Sequence, residues 1–178
     1  MFVLAIALAL AADPADAAKP GPVKVGPLSA PAPAGWKSEK PGNRLRSHQF
    51  KLAAKDQALP AAEVAVYPES SPKVDDKFAE WKGTIVPPDG KSIDDVAKVT
   101  KLDLPGGAVA NRLDATGTWK YRERPKDPKS KEELKAGYRV IWLVVTHGEE
   151  ATHVRFSGPT EVVAEHVKGF DGWVKALK

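Results

Sequence analysis

The four histidines are the first residues that we consider for metal binding or acid–base chemistry: His48, His147, His153 and His166. No two of them have the HxH or HxxxH spacing that brings two imidazoles to one metal ion. His147 and His153 flank one predicted hairpin, where strand alternation places them on opposite faces. His166 stands on the apolar stripe of the last predicted helix, which indicates a core or boundary residue. We therefore predict no metal site.

Adjacent carboxylates occur at Asp75–Asp76, Asp94–Asp95 and Glu149–Glu150. Neighbouring side chains on a helix point in different directions, so these pairs indicate a solvated face or a turn rather than a catalytic dyad. Gly90–Ser92 is similar to the end of a phosphate-binding loop, but Ile85 stands where that loop needs its first glycine. We find no nucleophile motif. The sequence therefore predicts a protein that is not an enzyme and that holds no cofactor.

A basic segment at residues 120–135 is the one pattern above background. It contains seven Lys or Arg and four Asp or Glu, a net charge of +3. Basic groups beside aromatic rings can hold an anionic polymer, a lipid headgroup or an acidic protein. The alternative is a solvated loop whose lysines prevent strands from pairing edge to edge. The candidate binding residues are Trp119, Lys120, Tyr121, Arg122, Arg124 and Lys126.

Composition excludes several classes of protein. The 178 residues contain no Cys, which excludes a disulfide scaffold, a thiol nucleophile, an iron–sulfur cluster and a cysteine-based zinc site. Hydrophobic residues at 42% and charged residues at 28% are ordinary values for a folded domain, and the length suits one domain. A net charge of +4 is much smaller than that of a typical nucleic-acid-binding domain, so we predict no nucleic-acid partner.

The first residues have the pattern of a secretory signal peptide. Phe2–Leu10 is an unbroken apolar run, and Ala15–Ala17 is a small-x-small site of the kind that signal peptidase cleaves. The run is shorter than the roughly 20 apolar residues of a transmembrane helix. We predict a signal peptide at residues 1–17, cleaved after Ala17 with Ala11 as a second site, and a secreted or periplasmic protein without a transmembrane segment. The alternative is a buried strand or helix at the N-terminus of the domain.

The next stretch, residues 18–34, contains five prolines and two glycines. Such a composition favours an extended, solvated chain over a packed one. We therefore predict a Pro/Ala-rich linker at residues 18–34 and a single domain at residues 35–178.

Hydrophobic periodicity predicts six strands and two helices in that domain. The predicted strands are Leu45–Leu52, Ala61–Tyr67, Val96–Leu104, Ala108–Tyr121, Tyr138–Thr146 and Ala151–Ser157. The predicted loops are Ile85–Gly90 and Arg122–Ala136. A helix with the apolar stripe Val74, Phe78 and Trp81 follows the second strand, and an amphipathic helix follows Gly158–Pro159. A further strand can form near Trp36.

Six successive apolar residues, Val140–Val145, indicate a central strand that is covered on both faces. Consecutive strands joined by short turns indicate antiparallel pairing. Helices are then needed on both sides of the sheet. The fold class that follows is α+β, with a three-layer α/β/α sandwich around a mainly antiparallel sheet.

Four segments give this pattern a family resemblance: PAPAGWK, VDDKFAEWKG, YRVIWLVVTHGEEATHVRFSGP and PTEVVAEHVKGFDGWVKAL. Together they span about residues 35–178. The chain resembles the superfamily that joins PsbP-like extrinsic photosystem subunits, DcrB-like bacterial envelope proteins and a Ran-binding nuclear import factor. It is also similar to secreted bacterial proteins with the same closing strand-Gly-Pro-helix pattern. The resemblance implies an α/β/α sandwich and a protein-binding or assembly role, and it assigns no site residue.

These observations predict a non-catalytic, exported binding or assembly module whose partner is another envelope protein. Two alternatives stay open. One is an envelope hydrolase whose carboxylates are brought together only by folding. The other is association with an anionic lipid or polysaccharide surface through the basic segment.

Overall fold

The computed structural model describes residues 21–125 and 127–178. Within them the strands are β1 (Val23–Val25), β2 (Leu28–Ala30), β3 (Lys37–Glu39), β4 (His48–Leu52), β5 (Ala62–Tyr67), β6 (Ile85–Val86), β7 (Ala97–Asp103), β8 (Val109–Tyr121), β9 (Glu133–His147) and β10 (Glu150–Pro159). The α-helices are α1 (Val74–Lys82), α2 (Ile93–Val96) and α3 (Thr160–Lys175). No helix in these two ranges is long and apolar enough to cross a membrane.

Eight of the strands form one sheet in which every pair is antiparallel. Its order is β3-β4-β5-β10-β9-β8, and β6 and β7 both pair with the outer edge of β8, at different places along it. The predicted hairpin between β9 and β10 forms around Gly148, whose φ is 59°. The prediction of an α+β fold with a mainly antiparallel sheet is confirmed.

The central strand β9 is buried on both faces over the predicted apolar run. All six residues from Val140 to Val145 are at most 3% exposed. Ile141, Leu143 and Val145 belong to an apolar cluster that also contains the buried side chains of α3. The alternate residues belong to a second cluster that contains Phe78 of α1. Because strand side chains alternate, these two clusters lie on opposite faces of the sheet.

The predicted linker contains a β-hairpin that belongs to the core, which corrects the prediction for residues 23–30. Val23, Val25, Leu28 and Ala30 of β1 and β2 are at most 7% exposed and join the cluster around α3. The backbone groups of Ser29 exchange two hydrogen bonds with those of Lys178, at 3.0 and 3.2 Å. Here the alternation of apolar residues outweighs the proline content. The predicted signal peptide, residues 1–17, lies outside the described residues, as do residues 18–20.

Two predicted loops are shorter than expected because strands extend into them. Ile85 and Val86, which we predicted as loop, form β6 opposite Trp119 and Thr118. Gly117 permits this approach, since a Cβ there would lie 2.5 Å from the carbonyl oxygen of Val86. β9 begins at Glu133, so the loop between β8 and β9 is also shorter than predicted.

Candidate binding surfaces

The aromatic residues of the predicted basic site belong mainly to the core. Trp119 is 5% exposed and meets the Trp142 ring edge-on, with 6.4 Å between the centroids. The ammonium group of Lys135 lies 4.2 Å from the centroid of the half-buried Tyr121 ring. Lys120 is half-buried. The two rings therefore anchor the base of the β8–β9 hairpin rather than forming an open aromatic platform.

The exposed arginines of the basic segment have acidic neighbours. Arg122 pairs with Glu132 at 3.3 Å, and Arg124 pairs with Asp127 at 3.1 Å. Lys126, the last of the predicted binding residues, lies outside the described residues. The acids of the segment thus neutralise part of the charge that suggested binding to an anionic partner.

Two buried arginines share one carboxylate at the base of this segment. Arg46 contacts Glu63 at 3.0 Å, and Arg155 contacts the other oxygen of Glu63 at 2.7 Å. Arg46 also reaches Glu123, at 3.3 Å. Burial disfavours the charged guanidinium, but the negative charges of Glu63 and Glu123 and the neighbouring Tyr67 raise the pKa of Arg46 above its usual value. The two arginines and two glutamates form a neutral network that fixes the base of the loop.

The guanidinium of Arg155 also lies over aromatic rings. Its central carbon is 5.1 Å from the centroid of Trp119 and 5.6 Å from that of Tyr121. The sequence pattern did not indicate this role for Arg155. The signal was present in the alternation of β10, yet the partner rings come from β8, which only the tertiary fold brings close.

His153 is a half-buried, neutral ring in an aromatic stack. Its centroid is 4.1 Å from that of Tyr67 and 5.3 Å from that of Trp81. Burial, together with the positive charges of Arg155 and Lys77, lowers the pKa of His153 to about 3. The imidazole therefore stays uncharged near neutral pH and stabilises the packing of α1 on the sheet.

His166 was predicted to lie in the core or at its boundary, and no metal site was predicted at any histidine. The Nε2 atom of His166 lies 2.8 Å from the carbonyl oxygen of Ala53, as suits a boundary residue. The His147 ring lies 3.2 Å from the carbonyl oxygen of Gly106. Across residues 21–125 and 127–178, no group of three or more His, Asp or Glu side chains could hold a metal ion.

A second ion-pair network ties α3 to the sheet. Arg112 bridges Asp114 and Asp171, with both contacts at 2.6 Å, and Arg139 contacts Asp114 at 2.7 Å. Burial opposes ionisation of Asp114, but hydrogen bonds and charge from Arg139 and Arg112 hold its pKa below the usual value. Arg112 and Asp171 of this network also line a groove between α3 and the strand β7.

The strand β7 is the most exposed part of the sheet. It pairs with β8 on one side over all seven of its residues, and no described strand pairs with its other side. Every residue from Lys98 to Asp103 is exposed, including two large apolar ones, Val99 at 46% and Leu102 at 37%. The outer backbone groups of β7 therefore form a free edge, where another strand can pair.

One groove lies beside β7 on the face that carries α3. Its volume is about 190 Å³, and its apolar lining includes Leu102, Leu143, Phe170 and Val174. The register of β7 explains this position, since Leu102 pairs with Ala110 on the face that packs against α3. The groove is therefore continuous with the exposed edge strand.

A larger cavity of about 570 Å³ lies on the opposite face, next to the start of α1. Asp75 and Asp76 line it, together with Lys101 of β7, Asn111 and Thr146. No histidine or serine among the described residues lines it. The residues that line this cavity therefore supply carboxylates, lysine ammonium groups and the Thr146 hydroxyl, but no imidazole base.

No protein-family model matches the chain. A search of curated proteins finds no match either. The assignment of a function therefore depends on the geometry of these surfaces.

Proposed function

We propose that this protein is a non-catalytic binding or assembly module of a three-layer α/β/α type, exported from the cell, and that it binds an extended segment of a partner protein along β7. The observation that supports this most strongly is the free outer edge of Ala97–Asp103. A bound segment would extend the sheet by one strand and leave the existing core unchanged. The resemblance to the PsbP-like superfamily is part of this proposal.

The backbone supplies the affinity in this kind of recognition. About half of the N–H and C=O groups of a strand point to each of its two edges, so the outer groups of β7 have no strand partner within the described residues. A peptide in extended conformation satisfies them by main-chain hydrogen bonds, while alternate side chains give specificity. Seven residues equal the length of an ordinary strand, so the edge is long enough for stable pairing.

The lysines of β7 have a second interpretation. Exposed lysines on an edge strand discourage pairing between copies of a protein. In the strand register, Lys98 lies opposite Asp114 of β8 and Lys101 lies opposite Asn111. The two lysines are an odd number of residues apart, so they project to opposite faces of the sheet and leave the edge itself uncovered. They therefore oppose a strand with the same positive charges more strongly than a strand with negative ones. This selectivity agrees with a partner other than a second copy.

The alternatives receive less support from the geometry. The hydrolase hypothesis needs carboxylates that folding brings together, and the two carboxylates of the cavity, Asp75 and Asp76, are sequence neighbours on α1 whose side chains point in different directions. The anionic-surface hypothesis needs free cations, and three cations of the segment, Arg122, Arg124 and Lys135, are paired with its own acids, which leaves the hypothesis only part of the charge. We therefore place partner binding at β7.

A selection experiment tests the proposal. A library of linear peptides is displayed and selected against the folded chain, and the deuterium uptake of the chain is compared with and without each enriched peptide. We expect the enriched peptides to slow exchange in fragments that cover residues 97–103. Enriched peptides that protect only residues 120–135, or the absence of any enriched peptide, would contradict the proposal.

A further inference from the structure

We infer that the segment bound by β7 is acidic, with carboxylates and apolar side chains at set positions, an inference that rests on the proposed function. Three cations surround the edge and the groove: Lys98 and Lys101 on β7, and Lys175 on α3. None of the three has an ion-pair partner among the described residues. In the basic segment Arg122 and Arg124 are both paired, whereas Lys129 and Lys131 have no ion-pair partner among the described residues and therefore serve as the comparison for the lysines of β7.

Apolar groups alternate with these cations. Val99 lies next to Lys98, and Leu102 lies next to Lys101, with Thr100 between the two pairs. Residues opposite each other on neighbouring strands share a face and contact each other. A complementary strand therefore places acidic side chains opposite Lys98 and Lys101 and apolar side chains opposite Val99 and Leu102.

The groove provides a place for one of those apolar side chains. Its floor contains Leu102, Leu143, Phe170 and Val174, and Lys175 lies at its rim. The volume of about 190 Å³ compares with the roughly 150 Å³ of an engineered apolar cavity that accepts benzene. A leucine or phenylalanine side chain opposite Leu102 can therefore enter the groove, on the face of the sheet that carries α3.

The required order of side chains is acidic, apolar, neutral, acidic, apolar when the bound segment runs parallel to β7. The reverse order applies to an antiparallel segment. Two synthetic probes represent these cases, Thr-Glu-Val-Thr-Glu-Leu-Thr and Thr-Leu-Glu-Thr-Val-Glu-Thr. Each has a counterpart with Lys in place of Glu and one with Gln in place of Glu.

Fluorescence anisotropy of the labelled probes with the folded chain tests the inference. We expect one acidic probe to bind about tenfold more tightly than its Lys counterpart, with a difference that shrinks as salt is added. The double variant Lys98→Glu/Lys101→Glu should reverse this preference. The matched control Lys129→Glu/Lys131→Glu makes the same charge change in the basic segment and should leave the affinity unchanged.

The outcomes separate the two proposals. Equal binding of the Glu, Gln and Lys probes to the edge would overturn the acidic segment while leaving strand addition at β7 in place. Loss of binding in the control variant, with no change in the β7 variant, would move the site to the basic segment and overturn both. Dimerisation of the chain that the acidic probes fail to displace would assign the edge to a second copy and also overturn the inference.

Discussion

Trp81 stacks on Trp142, with 5.6 Å between the ring centroids and 10° between the ring planes. The first ring comes from α1 and the second from the central strand β9, so this pair joins the helix to the middle of the sheet. Trp142 is 3% exposed and also meets the ring of Trp119. Its side chain is therefore a central element of the cluster between α1 and the sheet.

Replacement of this ring should be costly. We expect Trp142→Ala to lower the free energy of unfolding by about 3–5 kcal/mol, because it leaves a large cavity in a close-packed cluster. Leu134→Ala on the same strand serves as the control, since Leu134 is 67% exposed, and it should change stability by at most about 0.5 kcal/mol. Urea denaturation measures both. Equal midpoints for wild type and Trp142→Ala would show that the ring does not pack against α1.

The hairpin of β1 and β2 should contribute to stability, unlike a linker. Val25 is fully buried, and we expect Val25→Ala to cost about 1–3 kcal/mol. Lys24→Ala changes the neighbouring exposed residue and should cost at most about 0.5 kcal/mol. Thermal unfolding of the two variants measures the difference. If both variants unfold with the wild type, the hairpin does not stabilise the core.

Replacement of two glycines by alanine should change the stability of the protein in opposite directions. A Cβ at Gly158 would lie 2.7 Å from the Cβ of Ala62 on the neighbouring strand, so Gly158→Ala should destabilise the protein by about 1–3 kcal/mol. Gly169 lies inside α3 with open space around it, and Gly169→Ala should stabilise the protein by about 0.5–1 kcal/mol. Chemical denaturation checks both signs, and stabilisation by Gly158→Ala would contradict the close approach of β10 to β5.

The lowered pKa of the half-buried His153 ring predicts a pH dependence. Its pKa is lowered to about 3 in the folded chain, against about 6.5 in an unfolded one. Below a pH of about 6.5, His153 therefore becomes protonated in the unfolded state but remains neutral in the folded state. The free energy of unfolding then falls by up to about 1.4 kcal/mol for each pH unit of acidification. His153 faces Tyr67 and Trp81, with Arg155 and Lys77 as the nearby charges.

His153→Phe should remove most of this dependence. The wild type should lose about 1.6 kcal/mol between pH 6.5 and pH 5 through this residue, and the variant should lose less. His48 also has a pKa lowered by burial, so a smaller slope remains in both proteins. Denaturant titrations at the two pH values measure the slopes. Parallel slopes for wild type and variant would show that His153 takes up its proton without unfolding.

The sequence predicted the parts of the fold in which periodicity is strong. The apolar run Val140–Val145 and the hairpin after it predicted the centre of the sheet, because burial on both faces leaves few positions for polar residues. The hairpin of residues 23–30 departs from the prediction because its strands are only three residues long, so that the surrounding prolines obscure the alternation of its apolar residues. β6 was missed because a two-residue strand has no period, and its position depends on Gly117, which is distant in sequence.

The candidate site was harder to predict for a physical reason. Lysine and arginine are easy to count along the basic segment, but the partners of its acids depend on tertiary contacts, such as that of Glu123 with the distant Arg46. The strand that became β7 was predicted, yet a pattern along one strand does not tell which neighbour lies beyond it. That β7 lies at an edge, next to the groove beside α3, follows only from the order of the whole sheet.

Amide hydrogen exchange of β7, resolved by residue with NMR, tests the central claim most directly. In the free chain, alternate amides of Ala97–Asp103 should exchange fast, because they point away from β8. The acidic probe that binds should slow those amides at least about tenfold and leave the amides that face β8 unchanged. Uniform protection of β7 in the free chain, or fast exchange at all the outward amides with the probe bound, would contradict strand addition at this edge.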